Sequence, residues 1–243
     1  MALPVWRFIH IYIFYFITCA TFFFTSYKII KRNRKNRLNH LLATFLTLIS
    51  FSMVSNLIYA SISNSNMEST VEFLHALSIY LISVSLSFML LFVLMLNGSR
   101  KLITSARNQI LFISIYCVLC SGLLFIPNGV NVEILSDGTQ MYPVWNLIFF
   151  IYYLSIFLPT AIFSLIICGK IYKKMNNEAL AKRMRLFIVG ISCFYYIGLF
   201  VSLTNFINSD PLRIIFTLTG PLAIIGVVLI YISVGKSLQL PPV

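Results

Sequence analysis

YKIIKRNRKNRLNH, Tyr27 to His40, carries six Lys or Arg among fourteen residues and no acid. An apolar run ends at its left edge and another begins at its right. Such a cluster holds a loop on the cytoplasmic side of a bilayer, because several cations cannot cheaply cross a lipid core. With this loop placed inside, the side of every other loop follows by alternation.

The composition agrees with a membrane chain. Of 243 residues, 59% are hydrophobic and only 10% charged, where a soluble domain carries about 25% charged residues. The apolar runs are continuous, which excludes the alternating segments of a β-barrel. A span needs about 20 apolar residues, and seven runs qualify: about 5–29, 41–61, 73–96, 109–125, 143–168, 186–206 and 212–234. The fold class expected is an all-α integral membrane protein, one domain over 1–243, built as a bundle of seven transmembrane helices. Arg7 precedes an apolar run that passes straight into the basic cluster, so the first run reads as a retained helix and not a cleaved signal.

Loop charge fixes the expected orientation. The loops after the first, third and fifth spans plus the tail hold sixteen of the eighteen Lys and Arg, with Glu178 as their one acid. The opposite set holds Arg7, Arg213 and five acids: Glu68, Glu72, Glu133, Asp137 and Asp210. This segregation predicts N-terminus out and C-terminus in, in the plasma membrane, with a basic inner face. That face comprises Lys31, Arg32, Arg34, Lys35, Arg37, Lys173, Lys174, Lys182, Arg183 and Arg185. The net charge of +12 therefore reads as topology, and no nucleic-acid partner is expected. Turn-rich Asn64-Ser65-Asn66 and Asp137-Gly138-Thr139 mark outer loops, and Asn131 to Tyr142 is expected to form a short hairpin over the helix mouths.

The runs hold little chemistry. No Asp, Glu, Lys or Arg lies near the middle of any of them, which argues against an ion-coupled transporter, a proton pump or a retinal protein. No H-E-x-x-H, G-x-S-x-G or P-loop occurs. His10, His40 and His75 form no ligand pair at helical spacing. Cys19, Cys117, Cys120, Cys168 and Cys193 all lie in apolar runs, so no disulfide is expected. No enzyme activity, metal or cofactor follows from these residues.

Neutral polarity remains. Asn56, Ser52 and Ser55 mark the second helix, four serines the third, and Thr217, Thr219, Gly220 and Pro221 the seventh. Most such residues let helices approach and bond across one another. As a set, His75, Tyr80, Trp145, Asn146, Tyr152 and Asn205 fall in the outer half. Aromatic rings with a few amides suit a weakly polar small ligand. Pro159 and Pro221 are candidate hinges, since each removes a helix hydrogen bond.

Ser87 to Ile103, SFMLLFVLMLNGSRKLI, and Ala181 to Gly198, AKRMRLFIVGISCFYYIG, resemble the seven-helix sensor module at the N-terminus of many prokaryotic histidine kinases. The resemblance spans the chain in layout. It implies a membrane sensor driving a cytoplasmic output, and it supplies no catalytic residue. The sequence, to Val243, holds no phospho-acceptor His motif and no ATP-binding glycine motif, so output is expected through a separate domain, a cytoplasmic signalling partner or a homodimer. An animal-type heptahelical receptor matches less, with no acidic-Arg-aromatic triplet after the third helix and no N-P-x-x-Y in the seventh. The reading is a receptor-like protein; the alternatives are a small transporter or channel for an uncharged solute and a structural subunit of a membrane complex.

Overall fold

The computed structural model describes residues 9–62, 67–98, 105–134 and 141–235. A π-helical turn, Ile9–Tyr15, leads into α1 (Phe16–Arg32). There follow α2 (Arg37–Ile62), α3 (Glu68–Leu96), α4 (Ala106–Phe125), a hairpin of β1 (Val130–Ile134) and β2 (Met141–Trp145), α5 (Leu147–Lys173), α6 (Glu178–Ile207), α7 (Asp210–Thr219) and α8 (Leu222–Gly235). Seven segments are long and apolar enough to cross a bilayer, the seventh, Pro211–Val234, being α7 and α8 together. This is a multi-pass membrane protein by the length and composition of its helices.

The helices close a ring: α1 packs on α2, α2 on α3, α3 on α5, α5 on α6, α6 on α8, and α8 back on α1. Outside the ring, α4 leans on α3 and buries only Cys120 and Leu123 of its own residues. Small polar residues set the α2–α3 seam. Ser52 and Ser78 share a hydroxyl hydrogen bond of 2.7 Å, and Ser55 Oγ donates to the Leu74 carbonyl at 2.9 Å. The α6–α8 crossing is closer still. A Cβ on Gly190 would lie 2.9 Å from the Gly226 carbonyl oxygen, and one on Gly226 would lie 3.0 Å from that of Gly190. Only glycine at both positions allows this approach.

The basic stretch becomes the last turns of α1, a tight turn, and the start of α2. Asn39 is buried and donates its amide to the Ile29 and Asn33 carbonyls, which α1 leaves without helical donors. Arg32 Nη1 donates to the Val234 carbonyl at 2.8 Å, tying the end of α1 to the end of α8.

Several helix ends differ from the expected ones. On the basic side α1 runs to Arg32 and α5 to Lys173, because Lys and Arg continue a helix after hydropathy has fallen. For the same reason α6 opens at Glu178, eight residues before the expected start, with Asn177 Oδ1 accepting from Leu180 N as its cap. Pro143 does not open α5. Residues 143–145 pair with β1, and Asn146 caps the helix that begins at Leu147. The seventh span is not one helix, since it breaks at Gly220-Pro221. Arg7, Arg100, Lys101, Lys236, Asn64-Ser65-Asn66 and Asp137-Gly138-Thr139 lie outside the described residues.

Candidate functional site

The hairpin lies against α3 and α6 at the end of the bundle away from the basic turns. Its register pairs Val130 with Trp145 and Glu133 with Tyr142. Asn146 fastens its base: the side-chain oxygen accepts from Phe149 N at 2.8 Å, and the amide donates to the Asn128 carbonyl at 2.8 Å. A chain of side-chain bonds and one ring contact tie the hairpin to the α6–α7 corner. Arg213 Nη2 donates to Asn208 Oδ1 at 2.6 Å, and Asn208 Nδ2 donates to Glu133 Oε2. The Arg213 guanidinium also sits 4.3 Å from the Tyr142 ring centroid. Both members of the Glu133–Tyr142 pair are thus engaged by the corner.

Beneath the hairpin is a cavity of about 120 Å³, bounded by Asn56 of α2, His75 of α3, Tyr142 of β2, Asn205 of α6 and Arg213 of α7. A second chamber of about 90 Å³ lies next to it, walled by Phe22, Phe45, Phe157 and Phe194. Tyr15, Asn56, Ile82, Val201 and Phe216 line both chambers. The first chamber is polar on several sides, and the second is mainly apolar, with several aromatic rings in its wall. Gly220, at the break between α7 and α8, also lines the second.

His75 is 3% exposed and Trp145 2%. Trp145 Nε1 donates to His75 Nε2 at 2.9 Å. An indole N–H can only donate, so His75 Nε2 is the acceptor and the neutral ring carries its proton on Nδ1. That Nδ1 has no hydrogen-bond partner, and neither does Asn56 Oδ1. Buried polar atoms are normally paired. Here an unpaired donor and an unpaired acceptor belong to residues lining the same chamber. Two other buried atoms, Ser164 Oγ and Tyr195 OH, lie near each other without a hydrogen bond.

Aromatic rings continue from His75 into the core. Tyr59 meets His75 at 5.6 Å, Trp145 meets Tyr153 at 5.3 Å, and Tyr153 stacks on Phe157 at 5.3 Å. Phe149, Tyr153 and Phe157 recur every four residues, which puts them on one face of α5, and Trp145 at the end of β2 continues the row. Tyr153 OH donates to the Gly198 carbonyl at 3.3 Å. Gly198 is bare there because a Cβ would strike the Phe157 ring at 2.5 Å.

The residues expected to hold a ligand separate into three groups. His75 and Asn205 line the polar chamber. Trp145 stands behind His75 as its hydrogen-bond donor, and Asn146 is occupied as a helix cap. Tyr80 and Tyr152 face α4: Tyr80 lies near Cys117, and Tyr152 OH donates to the Leu119 carbonyl at 2.6 Å over Gly122. Of the candidate hinges, Pro159 lies on the exposed face of unbroken α5, and Pro221 lies at the α7–α8 break. Lys31, Arg32, Arg34, Lys35, Arg37, Lys173, Lys174, Lys182, Arg183 and Arg185 gather at the end opposite the hairpin, where Arg185 Nη2 donates to Tyr172 OH at 2.9 Å.

Asn56, Tyr59 and Arg213 join the chamber without having been singled out for it. An amide inside an apolar run was the available signal for Asn56. Arg213 had been counted only as loop charge. No protein-family model matches the chain, and no curated protein matches it in sequence.

Proposed function

We propose that this chain is a receptor-like protein of the cell membrane, oriented N-terminus out and C-terminus in. It takes a small ligand into the cavity beneath the hairpin and passes the event to a cytoplasmic partner. The observation that carries this reading is the two-chambered cavity whose polar part is lined by His75 and Asn56, each with an unpaired buried atom. Pairing such an atom is worth about 1–3 kcal/mol, which a ligand that reaches it supplies. The positive-inside rule supplies the orientation, and the layout similar to histidine-kinase sensor modules supports a signalling output.

A route for the signal follows from the packing. Phe216 and Gly220 place the α7–α8 break on the chamber wall, so an occupant bears on the interrupted seventh span. Because α8 is locked to α6 through Gly190 and Gly226, movement of α8 carries α6. With 30 residues at 1.5 Å each, α6 is roughly 45 Å long against a hydrocarbon core of about 30 Å. Its first turns, with Lys182, Arg183 and Arg185, then project into the cytoplasm where a partner reads them.

The test is a thermal-stabilisation screen of protein in lipid nanodiscs against small neutral and charged compounds. Val201 lines both chambers, so Val201→Phe fills their junction. The receptor reading expects compounds that raise Tm in the wild type and not in Val201→Phe, with no accumulation of those compounds in proteoliposomes. Accumulation means a transporter. A screen in which every stabiliser acts equally on both proteins overturns the cavity as the site.

A further inference from the structure

We infer that the cavity takes a neutral amphiphile with a single hydroxyl, an alcohol whose head lies in the polar chamber and whose hydrocarbon tail enters the aromatic one. The inference deepens the receptor reading above and rests on it for the biological meaning of the site.

The head group follows from the two unpaired atoms. His75 Nδ1–H donates and Asn56 Oδ1 accepts, and both residues line the polar chamber. A hydroxyl accepts through its oxygen and donates through its hydrogen, so it is the simple group whose chemistry matches both. A carboxylate only accepts, and it would set an oxygen against Asn56 Oδ1. Arg213 does not reverse that preference, because its guanidinium is already engaged by Asn208 and by the Tyr142 ring. An ammonium only donates; it meets the His75 N–H and the Arg213 charge, with no carboxylate among the described residues of the chamber wall. A plain alkane leaves both atoms unpaired.

The tail follows from the second chamber. Phe22, Phe45, Phe157 and Phe194 give it aromatic walls, and the hydroxyls that also line it, on Thr18, Ser52, Ser85 and Tyr153, are bonded within the protein, which disfavours a sugar or polyol with further hydroxyls to pair. Size sets a further bound. An apolar cavity of about 150 Å³ holds benzene, so adjoining chambers of about 120 and 90 Å³ suit a molecule somewhat larger than benzene. An alcohol with a chain of about eight carbons is of that order. Asn56 lies where the two chambers meet, the position a hydroxyl at the end of a chain requires.

The probe is 1-octanol, used with a diazirine-bearing octanol that labels its surroundings on illumination. Protein in phosphatidylcholine nanodiscs is photolabelled, digested and mapped by mass spectrometry. The inference expects adducts on chamber residues such as Phe216, Val201 or Phe157. It expects 1-octanol to protect them at concentrations about tenfold lower than octane, octanoate or octylammonium, the effect of one lost hydrogen bond. Asn56→Leu and His75→Phe each reduce labelling by about the same factor. His75→Phe deprives Trp145 of its acceptor and can disturb the fold. Asn56→Leu removes an unpaired oxygen, so it keeps the test decisive. Adducts confined to the lipid-facing side of α4, equal protection by octane, or unchanged labelling of Asn56→Leu each overturn the inference. Chamber labelling without any response at the basic end of the bundle upholds it while refuting the receptor reading. An unlabelled chamber refutes it even where the thermal screen finds other ligands.

Discussion

Replacing Gly190 by Ala tests the α6–α8 lock, and Gly169→Ala provides the reference. Both glycines lie inside helices, so each substitution gains the same helix propensity, about 1 kcal/mol. At Gly169 an added Cβ meets nothing within 4 Å. At Gly190 it would lie 2.8 Å from Ile230 Cγ1, 2.9 Å from the Gly226 oxygen and 3.1 Å from Ile230 N. Two of those three atoms are α8 backbone and cannot rotate aside. Reaching ordinary contact, about 3.4 Å, requires the helices to part by roughly 0.5 Å, and overpacking of this kind costs about 1–3 kcal/mol. Because the propensity gain is common to both, the difference between the variants isolates the steric cost. For a chain of this size each kcal/mol moves Tm by about 2–4 °C. Thermal unfolding in nanodiscs, followed by tryptophan fluorescence, should therefore place Gly190→Ala several degrees below Gly169→Ala. Equal Tm values within about 1 °C would refute the close crossing, and with it the idea that α8 carries α6.

Other expectations concern the chamber and its cover. Asn56→Leu removes a buried acceptor without a partner, so it should raise stability by about 1–3 kcal/mol while weakening alcohol protection by about tenfold; a loss of stability in urea or thermal unfolding would mean the amide is structural. Asn146→Leu deletes the cap of α5 and the bond to Asn128, and should lower stability by about 0.5–2 kcal/mol without changing which compounds protect the chamber from photolabel. Glu133→Gln weakens the link to Asn208, and should speed amide hydrogen exchange in residues 130–134 and 141–145; unchanged exchange would mean that the hairpin is held by Trp145 and Asn146 alone.

The spans were legible because length and hydropathy suffice to find them. Their ends were not, because hydropathy stops at the lipid boundary while helix propensity continues. Glu178 to Arg185 is polar and still helical, and only the Asn177 cap ends it. Pro143 suited the first turn of a helix, but pairing with β1 prevailed and Asn146 took the cap. The site was legible in part. His75 and Asn205 stood out as polar residues toward the hairpin end of their spans. Tyr80 and Tyr152 did too, yet both face α4. A helix apolar on every side gives no periodicity to tell lipid from neighbour, so residue type alone could not separate them. Arg213 was hidden because its role depends on Asn208, Glu133 and Tyr142, three residues brought together only by the hairpin.

An occupant of the chamber is proposed to move the basic end of α6. Spin labels placed through non-canonical amino acids at Lys35 and Leu180, both exposed at that end, report the distance between the α1–α2 turn and the first turn of α6. Pulsed electron–electron resonance in nanodiscs, with and without 1-octanol, reads it directly. The account predicts a shift of about 1–2 Å, the scale of a helix displacement at a packed interface, in the wild type and none in Asn56→Leu. Photolabelling that shows the chamber occupied while the distance distribution stays fixed would contradict it.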